Sequence, residues 1–285
     1  MQSLSLLAVA LAVTVAWLQT AAARGAEPGG GGSVRVAIVQ FDAVPAEREH
    51  NLDRMQRLVE QAVSRGAGLV MFHELATSDY VDDIEPLAEP IPDGPSCRRM
   101  AGLAAALDCH IAFGLPERDG PRRHIAYVFL GPEGLVARYR KTWLFKTDAD
   151  EGFRNEWARY DPGTGPEAFE ILGLRATCLI CADADSPRAI ERVRRLRPDV
   201  IFFPVNRAAK VFETYPRIIA LMGATTLVAN RVGRSHTRDC VGGSAVYDAR
   251  GRIVVGANRS GREEILYHDL PPAPRPSSPG GSGSR

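Results

Sequence analysis

Three side chains stand where the chain pattern would deliver reactive groups to a cleft: Cys181, Glu74 and Lys141. The apolar run 176–180 reads as a buried strand, Cys181 ends it, and a polar turn and a helix over 188–196 follow. Layered α/β proteins bind ligands beyond the carboxyl ends of their strands. A thiol there lies close to the next helix N-terminus, whose partial positive charge favours the nucleophilic thiolate. Glu74 ends a second strand in Val70-Met-Phe-His-Glu and would reach the same rim, as a proton acceptor, if the two strands are parallel neighbours. Lys141 follows the second strand of a hairpin, near Trp143 and Phe145. Partial enclosure by those rings would strip its water and strengthen its field, which suits a developing negative charge. Each residue also has a plainer reading: a structural buried cysteine, a solvated glutamate and a surface lysine.

Two neighbouring features point elsewhere and are set aside. Cys178 lies three residues before Cys181, on the opposite face of a strand, so the pair is poorly placed to chelate a metal or close a redox disulfide, and Cys178 belongs to the core. His73 beside Glu74 suggests a zinc helix, but Thr77 occupies the position where that motif needs its second histidine.

The elements that must position these residues come from alternating patterns. Val34–Gln40 reads as a strand, a helix presents Leu52, Met55, Leu58, Val59 and Ala62 on one face, and 68–72 reads as the next strand. Beyond it come a helix over 97–107, a strand over 111–115 and a hairpin joining 125–130 to 135–139. After the 176–180 strand and the 188–196 helix, strands over 200–203 and 226–229 flank a helix over 215–222. A last hairpin joins 243–247 to 253–255, with Gly251 able to take positive φ. Strands alternating with helices predict a layered α/β fold.

The 285 residues include 35 Lys plus Arg and 34 Asp plus Glu, a net charge of +1, which gives no bulk field for nucleic acid or an anionic membrane; small neutral partners fit better. Five cysteines, an odd count without regular spacing, argue against a fully paired disulfide framework. The folded domain is expected over 34–270. Residues 1–33 combine an apolar leader, small residues suited to signal cleavage and a Gly-rich linker, and 271–285 is a Pro, Gly and Ser tail expected to be disordered. A functional leader would export the protein to a periplasmic or secreted location; otherwise the chain is membrane-anchored or cytoplasmic.

In order and surroundings, the three candidates resemble the nitrilase superfamily of carbon–nitrogen hydrolases. The resemblance spans nearly the whole domain, through Phe72-His-Glu74-Leu, Tyr139-Arg-Lys141, Tyr160-Asp-Pro-Gly163, Leu179-Ile-Cys181-Ala-Asp183, Val200-Ile-Phe-Phe-Pro204, Ala229-Asn-Arg-Val-Gly233 and Gly242-Gly-Ser-Ala-Val-Tyr-Asp. It implies a four-layer α-β-β-α sandwich and a homodimer or higher homo-oligomer joined through helical faces, on which exposed Leu or Ile would agree. It assigns Cys181 as nucleophile, Glu74 as general base and Lys141 to the oxyanion. A second family glutamate matches Glu156, with Glu151 close by, and would hold Lys141 in place. The backbone N–H of Ala182 would be a further oxyanion donor.

The activity so implied is hydrolysis of a small linear amide or N-carbamoyl compound through a thioester, with no cofactor or metal. Nitrile hydrolysis and acyl transfer use the same groups. From other classes, a silent small-ligand-binding protein and a thiol redox protein using Cys178 and Cys181 are the alternatives. The sequence departs from the family at Ala182, where an aromatic residue is common, and at Ser186-Pro-Arg188, where Phe-Pro-Glu is common. Arg188 would then either receive an anionic substrate group or be a helix-surface charge.

Overall fold

The computed structural model describes residues 32–146, 155–207, 211–235, 239–258 and 260–272. The expected leader and nearly all of its linker lie outside these residues, as do most of the expected tail and Glu151. Among the described residues, no helix is long and apolar enough to cross a membrane.

Two six-stranded sheets carry the fold. The first runs β14 (Glu264–Leu270), β1 (Val34–Gln40), β2 (Leu69–Met71), β3 (His110–Asp119), β4 (Arg122–Gly131) and β5 (Gly134–Arg140). In it β1, β2 and β3 are parallel neighbours, while β14, β4 and β5 pair antiparallel. The second runs β13 (Ile253–Gly256), β12 (Ala245–Tyr247), β9 (Thr225–Ala229), β8 (Val200–Pro204), β7 (Leu174–Cys178) and β6 (Phe169–Ile171). Its centre, β7, β8 and β9, is parallel. A small ribbon, β10 (Val232–Arg234) with β11 (Asp239–Val241), completes the strands.

The period of two along the strands sorts the core into layers. Ala37, Val39, Val70, Ile111, Phe113, Ala126 and Val128 pack outward against α1 (Arg48–Ser64) and α2 (Pro95–Leu107). The alternate positions Val36, Ile38, Leu69, Met71, Ala112, Tyr127 and Phe129 join the core shared with the second sheet, where Phe129 meets Phe202 at 4.8 Å between ring centroids. α3 (Pro187–Leu196) and α4 (Val211–Met222) contribute Val193, Ile219 and Met222 to that core. The result is the expected four-layer α-β-β-α sandwich. Beyond Pro187 the exposed positions of α3 are charged, Arg188 among them, so that residue is a helix-surface charge, and no Leu or Ile of α3 is exposed. On α4, Leu221 is 59% exposed.

Two differences from the expected elements have physical causes. β14 pairs with β1 along all seven residues yet is half-exposed at the sheet edge, so its hydrophobic signal is weak. The strand expected over 176–180 ends at Cys178, because the Ile180 N–H turns to the Asp183 carboxylate, at 2.8 Å, instead of a ladder partner. Gly251 does adopt positive φ, and the reason exceeds the turn: a Cβ there would meet the Pro216 carbonyl oxygen of α4 at 1.9 Å.

Candidate active site

The site lies where the ends of β2, β5, β7 and β8 converge between the sheets. After β2 the chain turns at Glu74, which is fully buried. Gly114 on β3 permits that turn, since a Cβ there would sit 2.4 Å from the Leu75 nitrogen. Lys141 follows β5 directly and is also fully buried. Its Nζ donates to Glu74 Oε1 and to Glu156 Oε1, both at 2.7 Å. Glu156 opens a short 3-10 turn, and its Oε2 accepts the Phe145 N–H at 2.6 Å. The Tyr80 hydroxyl lies 2.9 Å from Glu74 Oε1 and 2.5 Å from Glu156 Oε1. One oxygen of Glu74 is thus held from two sides, whereas Oε2 is buried with no hydrogen-bond partner among the described residues.

The charges of this cluster follow from burial and pairing. Burial alone would push the Lys141 ammonium toward neutrality, but the carboxylates of Glu156 and Glu74 outweigh it and hold its pKa well above the ordinary lysine range. Burial raises Glu156 above the usual carboxylate range despite Lys141 beside it, with Glu74 adding to the rise. Burial keeps the Tyr80 phenol protonated, so its single O–H can donate to either acid. The expected enclosure of Lys141 by aromatic rings is corrected: Trp143 is 48% exposed, and the walls around the ammonium are carboxylates.

Cys181 begins a 3-10 turn, Cys181–Asp185, with φ of 45°, a left-handed conformation rare for a residue with a side chain. Asp183 holds this turn and the segment after Lys141 together: it accepts from Ile180 N at 2.8 Å, Thr142 N at 3.0 Å, Trp143 N at 2.6 Å and the Tyr139 hydroxyl at 2.8 Å. The thiol is not at the start of α3, as the sequence pattern had suggested, because that helix begins six residues later behind its own cap, Ser186. The cation at the sulfur belongs instead to Arg207, whose Nε lies 3.3 Å from Cys181 Sγ. Burial raises the Cys181 pKa and Glu74 adds to the rise, while Arg207 and Lys141 oppose it. Ala182 is buried, and as an early residue of the turn its N–H has no acceptor in the preceding turn of helix.

The remaining candidates separate cleanly. Cys178 is buried in the core, and it forms no disulfide with Cys181, so the redox pair is not formed. His73 is fully buried, its Nδ1 2.7 Å from the Glu74 carbonyl oxygen, and burial pushes its pKa down to about 3, which leaves the ring neutral. Among the described residues no group of three or more His, Cys, Asp or Glu could hold a metal ion. Beside the site opens a cleft of about 640 Å³ lined by Trp143, Leu144, Phe145, Lys146, Trp157 and Asp185. Sequence reasoning brought together Glu74, Lys141, Glu156 and Cys181 and missed Tyr80, Asp183 and Arg207 as parts of the same cluster. Asp183 stood within a quoted motif; nothing in the pattern marked Tyr80 or Arg207.

Residues 35–274 match the model of the carbon-nitrogen hydrolase family. The chain therefore belongs to that family, within the nitrilase superfamily, and is a cysteine-dependent hydrolase of carbon–nitrogen bonds. It is 26% identical to a nitrilase of Pyrococcus abyssi across 81% of this chain and 87% of that protein. It is 25% identical to the N-carbamoylputrescine amidase of Oryza sativa subsp. japonica across 83% and 74% of the two chains. Its fold is similar to the crystal structure of an amidase from Nesterenkonia sp., with a TM-score of 0.74, 24% identity and coverage of 85% of this chain and 92% of that one.

Proposed function

We propose that the protein hydrolyses a small linear amide or N-carbamoyl compound through a thioester on Cys181. The observation that carries this reading is the division of labour on Glu74, with Oε1 fixed by Lys141 and Tyr80 and Oε2 buried and unpartnered beside the nucleophile's cluster. That oxygen is free to accept a proton.

A buried thiol whose pKa is raised needs such a base. Glu74 takes the thiol proton as the sulfur attacks the carbonyl carbon, and the carbonyl electron pair moves onto oxygen. Lys141 and the Ala182 N–H stabilise that oxyanion, each such donor contributing about 3 to 4 kcal/mol. Glu74 then returns its proton to the departing nitrogen, ammonia or an amine leaves, and the thioester remains. In the second half Glu74 deprotonates water, whose oxygen adds to the thioester carbon; the C–S bond then breaks, the proton on Glu74 passes to the departing sulfur, and the acid is released. Glu156 serves as a positioning residue for Lys141 through its charge-assisted hydrogen bond. Relatives named as an amidase and as an N-carbamoylputrescine amidase support the substrate class.

The deciding experiment is ammonia release from a panel of amides, N-carbamoyl amino acids, ureides and nitriles, comparing the wild type with Cys181→Ala. Release from amides or carbamoyl compounds by the wild type alone is expected. Equal release by both proteins would sink the Cys181 mechanism, and release from nitriles alone would replace the substrate class.

We also propose a homodimer with Leu221 at its contact, on the strength of that side chain's 59% exposure on α4. Sedimentation velocity should give about twice the 30.9 kDa chain mass; a single species at the chain mass at micromolar concentration would remove the idea.

A further inference from the structure

Arg207 has no part in the mechanism above, yet its side chain touches the reacting sulfur. It follows β8, and its backbone is clamped by Asn230, which accepts its N–H at 3.0 Å and donates to its carbonyl oxygen at 3.1 Å. That clamp aims the guanidinium across the end of the sheet. Nε reaches Cys181 Sγ at 3.3 Å, Nη2 reaches Asp185 Oδ2 at 3.1 Å, and the guanidinium carbon lies 5.4 Å from the ring centroid of Tyr215. Three different contacts hold one planar group, so its orientation toward the sulfur is preset.

We propose that Arg207 is a catalytic cation of this enzyme, donating its Nε–H to the Cys181 sulfur and holding negative charge there while the thiol proton passes to Glu74. The proposal rests on the reading of Cys181 as the nucleophile. The step balances without any added reagent: the S–H bond breaks, its electron pair stays on sulfur, and the proton binds a Glu74 oxygen. Before transfer the negative charge lies on Glu74 beside Lys141; after it, the charge lies on sulfur beside Arg207. Lys141 alone would favour the first arrangement, because its Nζ is already bonded to Glu74 at 2.7 Å. A second cation in contact with the sulfur offsets that preference. As the sulfur attacks, its charge moves to the carbonyl oxygen, where Lys141 takes over.

Other ionisable groups face the thiol from each element around it. Glu74 comes from the turn after β2, Lys141 from the end of β5, Tyr80 from the loop beyond Glu74, and Tyr215 from α4; both phenols stay protonated through burial. Glu156 acts through Lys141, and Asp185 balances part of the Arg207 charge. Arg207 and Lys141 are the cations that oppose the upward push of burial and Glu74 on the thiol.

The test is the rate of Cys181 alkylation by iodoacetamide between pH 5 and 10, read by peptide mass in the full chain, for wild type, Arg207→Gln and Arg207→Lys. An opposite charge at this range lowers a pKa by about 1 to 3 units, and Asp185 screens part of the effect. Arg207→Gln should therefore move the alkylation midpoint up by about 1 unit, slow the reaction roughly tenfold at pH 7 and converge with wild type in alkali. Arg207→Lys, which keeps the charge, should recover most of the neutral-pH rate. Superimposable profiles for all three proteins would overturn the proposal. So would a uniform loss at every pH, the mark of a structural role, or a loss confined to the anionic reagent iodoacetate, the mark of a substrate-carboxylate site. Alkylation needs no turnover, so this result stands apart from the ammonia assay that tests the substrate reading.

Discussion

Glu74→Gln should lower kcat/KM for ammonia release by about 10³- to 10⁴-fold, the upper part of the range for a positioned acid–base group, because one carboxylate serves both halves of the reaction. The substitution keeps the side chain's shape and one acceptor oxygen, so Lys141 and Tyr80 retain a partner at Oε1. Glu156 still neutralises the ammonium from 2.7 Å. What disappears is the proton acceptor at Oε2, the buried oxygen that nothing else occupies. Thermal unfolding should change little beside the loss of rate. Steady-state ammonia measurements check the size of the effect, and intact mass after mixing checks the stage at which the variant stalls. A loss below tenfold would mean that another group removes the thiol proton.

Arg231→Met should destabilise the fold by about 3 to 5 kcal/mol, the cost of leaving a buried charge without its partner. Arg231 and Asp79 are both fully buried and form an ion pair. Arg231 also donates to the Ala43 carbonyl oxygen at 3.1 Å and the Val232 carbonyl oxygen at 3.2 Å, while Asp79 accepts from Asn206 and Ser235, each at 2.9 Å. Burial would raise the Asp79 pKa, but the guanidinium outweighs it and holds the carboxyl below its ordinary range. A depressed folded-state pKa contributes stability above the unfolded value and loses it as pH falls through the folded one. The contribution is therefore complete at neutral pH and fades only in strong acid. For a domain of this size the melting temperature should fall by roughly 10 °C. Adding Asp79→Asn should restore part of the loss, since the stranded charge is then gone. Calorimetry on the wild type and the two variants checks both points. Asp79 immediately precedes Tyr80, so the single variant should also lose activity below its melting range.

How far the site could be read in advance depended on where each residue's partners lie in the chain. Glu74, Lys141 and Cys181 announce themselves through short motifs at strand ends, and their order carried Glu156 with them. Arg207 carries no such mark: an arginine beyond a strand reads as a surface charge until the fold sets it against a sulfur 26 residues earlier. Arg188, which the altered motif did mark, points to solvent because it lies on the outer face of α3. The Asp79–Arg231 pair joins residues far apart in sequence, and no local pattern encodes it. Most of the longer strands were legible from periodicity, but β14 was not: its half-exposed residues leave a weak pattern, and its place beside β1 is settled only by closing the sheet. The early end of β7 has a similar cause. Asp183 captures the Ile180 N–H, a competition between side chain and ladder that a hydrophobic run cannot reveal.

The reactive groups come from opposite layers: Glu74 and Lys141 hang from the first sheet, through β2 and β5, whereas Cys181 and Arg207 hang from the second, through β7 and β8. Neither sheet alone owns a working set of tools. On the proposed mechanism, the base and the nucleophile meet only when both sheets have formed. Asp183, reaching from the second sheet to the backbone behind Lys141, acts as the latch that registers the closure. Activity of the proposed kind is therefore expected only once both sheets are in place, so a turnover rate would also read out how completely the chain has folded.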